Sequence, residues 1–315
     1  MYYIGIDIGG TNLKAGLVDE RYEITATKKT PLQFESMEQM GETLARMAIE
    51  LAEENGVPRD QVASVGMGFP GPVDDKRGVV IKTVNIPIRS MPVAEMFHRH
   101  WEVPVRLGND ADCAALGEFY HYENKNIESL ILVTLGTGIG TGIILNGKIH
   151  TGLNGCAGEG GHTVIVHGGE PCSCGRRGCW ERYASATGLI QQTKRAMEAH
   201  PESALHQFAA KSGVEGRTAF QAAEAGDETA LEVCRNYVDY LATGLANLIN
   251  ILRPEVVAIG GGVAAAPERL LLEPLREAVD KESFSRHGGR ITNILPAELG
   301  NDAGIIGAAM LGRVM

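Results

Sequence analysis

Asp7-Ile8-Gly9-Gly10-Thr11-Asn12 and Leu135-Gly136-Thr137-Gly138-Ile139-Gly140-Thr141-Gly142 are the two stretches on which the reading of the fold turns. The first follows the β-rich run Tyr3–Ile8 and leads into Asn12–Val18; the second follows Leu130–Leu135 and leads into Ile143–Leu145. A strand, a glycine turn and a second strand thus occur near the start of each half. The repetition predicts a duplicated architecture of two α/β domains with a cleft between them. Two unrelated hairpins would give the same local pattern, so the repeat alone leaves both open. Turns that mix glycine with threonine present successive N–H groups, with hydroxyls beside them, to an anion such as a phosphate. Gly9, Gly10, Thr11 and Asn12 in one turn, and Gly136, Thr137 and Gly138 in the other, are the candidates. Asp7 adds a carboxylate where a magnesium ion bridging phosphates needs one. The GxxxxGK[ST] pattern is absent from the chain.

Working outward, Glu23–Lys28 reads as a third strand after Asp19-Glu20-Arg21. Ser36 with Gln39 three residues on is a capping-box start, and Met37, Met40, Leu44, Met47, Ala48 and Leu51 make an apolar helical face that Asn55-Gly56 ends. Val62–Gly68 and Val103–Leu107 read as further strands, the latter leading through Asn109-Asp110-Ala111-Asp112 into a helix over Ala114–Tyr120. Asn146-Gly147 is a hairpin signal. Asp227 caps a long helix through Leu252, Pro254 stops it, and the strand Val256–Ile259 runs into Gly260-Gly261-Gly262 and another helix. A last helix, Ile305–Gly312, closes the chain. The expected domains are residues 1–108, 109–300 and a C-terminal helix, 301–315, packing back on the first.

Gly260-Gly261-Gly262-Val263-Ala264-Ala265 fits G-x-G-x-x-A, but too little chain follows for a dinucleotide-binding βαβαβ unit, so it reads as a turn on the nucleotide side. His162-x9-Cys172-x-Cys174-x4-Cys179 is more specific: three thiolates and an imidazole are the donors of a closed tetrahedral zinc site. The alternative is a group of buried thiols with an incidental histidine. His167, Cys156 and Cys113 read as packing or surface residues. Asp110 lies where a strand ends, the place ligands collect in α/β folds, although Asp110 or Asp112 would serve equally as a helix cap. Glu159 and Glu181 flank the zinc ligands, so a bound metal would fix them as acceptors for a polyhydroxy ligand.

The bulk properties narrow the field. The formal charge is −10 and no dense Lys/Arg run occurs, which argues against nucleic acid. No basic region precedes an apolar stretch at the N-terminus and no run of 18 apolar residues occurs, so neither a leader nor a membrane span is expected. Of six cysteines, three crowd into Cys172–Cys179, a metal cluster rather than a disulfide framework, and the cytoplasm is the expected compartment.

Taken together the motifs resemble the ROK family of sugar kinases and sugar-sensing repressors over nearly the whole chain. The resemblance is carried by Glu159-Gly160-Gly161-His162 with Cys172-Ser173-Cys174-Gly175-Arg176-Arg177-Gly178-Cys179-Trp180-Glu181, by Asp7–Gly16 and Leu135–Gly142, by Asn109-Asp110-Ala111, by Ile259-Gly260-Gly261-Gly262, and by Asn301-Asp302-Ala303-Gly304 with Gly307-Ala308-Ala309. It implies the actin-like, hexokinase-like (ribonuclease H-like) fold and ATP-dependent phosphorylation of a hexose at its 6-hydroxyl, glucose foremost. An N-acetylhexosamine such as N-acetylglucosamine or N-acetylmannosamine, or another hexose, is the alternative substrate, and a non-catalytic sugar-sensing regulator the alternative role. Asp110 is then the catalytic base. Gly71, Asn85, Asn109, Glu159, His162 and Glu181 hold the sugar, with His162 shared between zinc and a ring hydroxyl, and Gly261 and Gly262 lie on the adenosine side. ATP, magnesium and a structural zinc are the implied cofactors, and a homodimer or homotetramer the implied assembly. Asn85-Ile86-Pro87-Ile88-Arg89 departs from the family's glucokinases, which often show a tryptophan two or three residues on, and this touches sugar specificity. Only six residues precede Asp7, which leaves no room for the DNA-binding region of the family's repressors. An actin-like ATPase without a sugar substrate would need no such fixed carboxylates.

Overall fold

Two five-stranded sheets carry the chain, and both are wound in the same order. The computed structural model describes residues 1–83, 86–122, 126–210, 212–287, 289 and 291–314. β1 (Tyr2–Ile8), β2 (Asn12–Val18) and β3 (Ile24–Pro31) form an antiparallel meander in which Asp7 pairs with Lys14. α1 (Met37–Glu54) starts at Ser36, whose hydroxyl accepts the Gln39 N–H at 3.1 Å. β4 (Val62–Phe69) runs parallel to β1. β5 (Val73–Asp74), β6 (Val79–Lys82) and β7 (Arg89–Met91) make a small separate sheet, and α2 (Val93–His98) leads to β8 (Val105–Asn109), parallel to β4, and α3 (Asp110–Tyr122).

β9 (Leu130–Leu135), β10 (Ile139–Leu145) and β11 (Lys148–Ile149) follow. The β10–β11 hairpin turns at Asn146-Gly147, both at positive φ (52° and 71°), as the sequence predicts. Next come α4 (Glu181–Ala184), α5 (Ala186–Ala199), α6 (Leu205–Ala209), α7 (Thr218–Glu224) and α8 (Glu228–Leu252), which Asp227 caps by accepting the Ala230 N–H at 2.8 Å. β12 (Val256–Gly260), α9 (Leu272–Glu282), β13 (Asn293–Pro296, parallel to β12) and α10 (Ala303–Val314) complete the chain.

The sheet orders are β3-β2-β1-β4-β8 and β11-β10-β9-β12-β13. Numbered by appearance within its own set, each sheet runs third, second, first, fourth, fifth. Two unrelated hairpins would not share a five-strand order, so the duplication is real. The chain divides into two compact units, residues 1–130, 142–158 and 298–315 in the first, and 131–141 and 159–297 in the second. Residues 109–130 and 142–158 thus group with the first unit rather than with the segment expected to begin at 109.

Within the first unit, Ile4, Ile6, Ile8, Leu13 and Leu17 bury one side of the meander under α1, whose Met40, Leu44 and Met47 are 0–2% exposed. Each such side chain contributes about 1.5–3 kcal/mol. α10 packs against β1, β4 and α3. The approach is backbone on backbone: a Cβ at Gly5 would lie 1.9 Å from the Ile305 carbonyl oxygen, and one at Gly66 1.7 Å from that of Ala308.

Three local expectations change. α3 begins at Asp110, not Ala114, because the Asn109 side chain, rather than Asp110 or Asp112, caps it by accepting the N–H groups of Ala111 (2.8 Å) and Asp112 (3.3 Å). β10 begins at Ile139, so the second glycine turn shrinks to Gly136–Gly138. After Gly262 the chain makes only a short 3₁₀ turn, Gly262–Ala265, before Pro267, and α9 starts at Leu272.

Candidate active site

The sequence-predicted residues gather into one cluster in each unit. In the first unit the turn after β1 is closed by a hydrogen bond from the Gly9 N–H to the Asn12 carbonyl at 3.0 Å, and the Asn12 amide donates to the Thr11 hydroxyl at 2.9 Å. The N–H groups of Gly10 and Thr11 have no acceptor among the described residues, so two donors in sequence remain for a ligand. Asp7 lies half-buried at the base of this turn. Burial pushes its carboxyl up from the usual carboxylate range, and Lys14 across the strand pair pulls part of the way back. Gly304, in the first turn of α10, sits over it; a Cβ there would stand 3.4 Å from the Asp7 carboxyl carbon.

Asn109 ends β8. Besides capping α3, its amide donates to the carbonyl of Gly71 at 3.4 Å, which ties the loop after β4 to the start of the helix. Asp110, the next residue, is exposed, and its Oδ1 accepts the Ala111 N–H at 2.9 Å. This carboxylate thus stands at the N-terminal end of α3, on the surface. Cys113, further into α3, is fully buried, its thiol pushed well up by burial first and then by the charges of Asp112, Asp110 and Asp7. Asn85 lies outside the described residues. A cavity of 620 Å³ opens beside Asn109 and Asp112, walled by Asp75, Arg106, Lys148 and Asn154.

In the second unit, the Gly136 N–H closes its turn on the Gly138 carbonyl at 3.1 Å, and the N–H groups of Thr137 and Gly138 have no acceptor among the described residues. The start of α5 supports the turn from below: Ala186 N–H donates to the Gly136 carbonyl at 2.9 Å and the Thr187 hydroxyl to that of Thr137 at 2.7 Å. Gly261, at φ 86°, packs on the end of β9, where a Cβ would come within 2.6 Å of the Leu135 backbone, whereas Gly262 stands in open space.

The loop from Glu159 to Glu181 brings His162, Cys172, Cys174 and Cys179 together with one ligand atom from each within 4.8 Å of the others. His162 Nδ1 is 3.7 Å from Cys172 Sγ, and Cys174 Sγ is 3.6 Å from Cys179 Sγ. Zinc–sulfur bonds of about 2.3 Å at tetrahedral angles require edges of about 3.8 Å, so the donors fit that ion in both kind and spacing. Short bridges, Val164 with Cys179 and Pro171 with Arg177, fold the loop back on itself. Burial pushes the Cys179 thiol up to about 12 and raises Cys172, while the Arg176 N–H lowers Cys174.

The flanking acids are arranged around this cluster. Glu181 Oε1 accepts from Cys172 Sγ at 3.1 Å and lies 3.6 Å from His162 Nδ1. Its Oε2 lies 2.6 Å from where a Cβ at Gly138 would be. Glu181 thus touches the metal-type cluster with one oxygen and the glycine turn with the other. Glu159 Oε2 is 4.0 Å from His162 Nε2, so the imidazole faces the thiols through Nδ1 and an acid through Nε2. Two residues that the sequence reading quotes only as parts of motifs acquire a specific contact here. Thr141, inside the glycine-rich run, accepts the Gly160 N–H at 2.9 Å and so anchors the loop, and Gly304 seats α10 on Asp7. Neither contact is written in its motif, since each joins residues apart in sequence. Among the described residues no helix is long and apolar enough to cross a membrane.

Comparison with known proteins gives a consistent picture. The model of the ROK family matches residues 3–314. The chain is 36% identical to a glucokinase of Halalkalibacterium halodurans over 323 residues, covering 98% of this chain and 94% of that one. It is 32% identical to an N-acetyl-D-glucosamine kinase of Aliivibrio fischeri over 99% of both chains. A crystal structure of a ROK family glucokinase from Streptomyces griseus, in complex with glucose and AMPPNP, superposes with a TM-score of 0.79 at 36% identity over 99% of both chains.

Proposed function

The chain belongs to the ROK family, with its actin-like, hexokinase-like fold, and on that premise we propose that it transfers a phosphoryl group from ATP to the 6-hydroxyl of a hexose, with glucose as the first substrate. The observation that carries this reading is the exposed Asp110 carboxylate, held in place by the Asn109 cap within a chain that aligns end to end with a glucokinase. As catalytic base it takes the proton of the attacking hydroxyl, which requires only hydrogen-bond reach. Gly71, Asn109, Glu159, His162 and Glu181 hold the sugar hydroxyls. The free N–H groups of the two glycine turns hold the phosphates, and Asp7 serves the magnesium ion that accompanies them. Phosphoryl transfer needs mainly positioning and neutralisation of charge, and these groups supply both.

His162, Cys172, Cys174 and Cys179 would hold a zinc ion, whose contribution is structural: it fixes the loop that bears Glu159 and Glu181. The working compartment on this reading is the cytoplasm, where ATP and reduced thiols coexist, and the assembly, by analogy with the family, is a homodimer or homotetramer.

An ADP-release screen over a dozen hexoses and N-acetylhexosamines tests the proposal, with glucose expected to give the highest kcat/KM. The likeness to N-acetyl-D-glucosamine kinases supports a second reading, and a preference for N-acetylglucosamine in the screen would select it. Asp110→Asn is expected to lower kcat by at least about 10³-fold with the melting temperature unchanged. Sugar-dependent ADP release at the unmodified rate in that variant would remove Asp110 from the chemistry.

A further inference from the structure

Glu118 is a buried acid that the proposed chemistry leaves unused. It sits on α3 with no surface exposed, and burial raises its carboxyl above the usual range. A carboxylate persists in such a place only where donors face it. Both its oxygens have one: Oε2 accepts the N–H of Glu298 at 3.1 Å and Oε1 that of Leu299 at 2.9 Å. The side chain of Glu298 is gripped as well, by His121 Nε2 at 2.8 Å and by the Tyr122 hydroxyl at 3.2 Å.

The gripped segment has one destination. Leu299 leads through the short turn Gly300–Asp302 into α10. Gly117, beside Glu118, lets the two helices meet backbone to backbone, since a Cβ there would lie 2.2 Å from the carbonyl oxygen of Ala303, the first residue of α10. The next residue, Gly304, is the one seated over the Asp7 carboxyl. At the opposite end of α3, about two helical turns before Glu118, stands Asp110. A single rigid helix therefore bears the proposed base at its first residue and, further along, the clamp that fixes where α10 begins.

We infer that Glu118 is a positioning residue for the transfer proposed above, on which this role rests: by holding the Glu298 and Leu299 N–H groups it sets the start of α10, and so the surroundings of Asp7, relative to Asp110. It touches no substrate. Its effect reaches the reaction through backbone placement, where a displacement near 1 Å costs about 10²-fold in rate.

The test compares Glu118→Ala, Glu118→Gln and a control, Met310→Ala, which empties fully buried space in α10 away from its entry. Rates are measured on the full chain, well below each melting temperature. Glu118→Ala is expected to lose about 10- to 100-fold in kcat with the KM for the sugar within about threefold. Glu118→Gln, which keeps one of the two acceptor oxygens at the same reach, is expected to recover part of that loss. Met310→Ala is expected to lower the melting temperature while keeping kcat within about twofold. Equal kcat losses in Met310→Ala and Glu118→Ala, or none in Glu118→Ala, overturn the assignment.

Amide hydrogen exchange supplies a readout that needs no substrate. Exchange at Glu298 and Leu299 should quicken at least about tenfold in Glu118→Ala, and measurably in Glu118→Gln should the alanine variant fail to fold. Unchanged exchange there overturns the clamp. A wild-type chain inactive on every sugar overturns the transfer reading instead, so the two failures are told apart.

Discussion

The two glycine turns close alike and are supported by opposite means. Gly9 donates to the Asn12 carbonyl at 3.0 Å and Gly136 to that of Gly138 at 3.1 Å, and each turn leaves two N–H groups for a ligand. Beneath the first turn lies a carboxylate of the preceding strand, Asp7, roofed by α10 at Gly304. The matching position before the second turn is Thr134, a neutral residue whose hydroxyl donates to the Gly140 carbonyl at 3.4 Å. The acid beside that turn arrives from far along the chain: Glu181 stands two residues after Cys179, the last of the four donors of the loop. One turn thus has its charge built into the sheet, and the other depends on a loop that a metal would hold. The first should be robust and the second fragile.

Breaking the loop gives the largest expected effect. Cys174→Ala removes one of four donors and, on the zinc reading, should abolish metal binding, lower the melting temperature by about 10 °C or more and reduce kcat/KM at least about 100-fold. Elemental analysis and calorimetry check this on the same sample. The first turn should be spared, and metal-free wild-type protein with an unchanged melting temperature would erase the proposed asymmetry.

The same contrast explains what was legible in the sequence. Asp7 and its turn share one strand–turn–strand segment, so the sheet, the turn and the acid could be read together. Ser36, Asp227 and Asn146-Gly147 marked their helices and hairpin because capping and type I′ turns are local chemistry. The four metal-type donors were legible because their spacing is short. By contrast, the start of α3 escaped the reading: the cap is Asn109, and four polar or small residues in a row offered several equal candidates. Ile139–Thr141 read as turn because glycine hides β-propensity, although the segment belongs to β10. The contacts of Glu181 with Gly138, of Gly304 with Asp7 and of Glu118 with Leu299 join residues far apart in sequence, and no pattern in one chain records such pairs.

A smaller effect, and one of divided sign, is expected at the first turn. Asp7→Asn should lower kcat about 100-fold by removing the charge that serves the metal–nucleotide. It should also stabilise the protein slightly, because burial disfavours the native carboxylate. The direction follows from proton linkage. The folded state holds this proton to higher pH than the unfolded state does, so wild-type stability falls as pH rises from the usual aspartate range through the raised value. The advantage of Asp7→Asn should therefore vanish under acid conditions and reach its full size near neutrality. Melting curves of the two proteins from about pH 3.5 to 7 read it directly, and a variant less stable than wild type at neutral pH would contradict the account of Asp7 as a strained acid.

The smallest expected effect sharpens the comparison most, because it adds one carbon to each turn. At Gly9 a Cβ would meet only the Asn12 carbonyl oxygen, at 3.2 Å, a contact relieved by a shift of a few tenths of an ångström. At Gly138 it would lie 2.6 Å from Glu181 Oε2. That carboxylate is the end of a flexible side chain and in isolation would simply swing aside. Here Glu181 stands two residues after the last donor of the loop, so a metal that fixes the loop fixes where this side chain starts, and moving its carboxylate off Gly138 turns the acid away from the glycine turn. Gly138→Ala should therefore raise the KM for ATP about tenfold, the equivalent of one lost polar contact, with the metal retained. Gly9→Ala should change it by no more than about threefold. Equal responses at the two positions would mean that Glu181 is not held by the loop, and the second turn would then be no more dependent on its neighbour than the first.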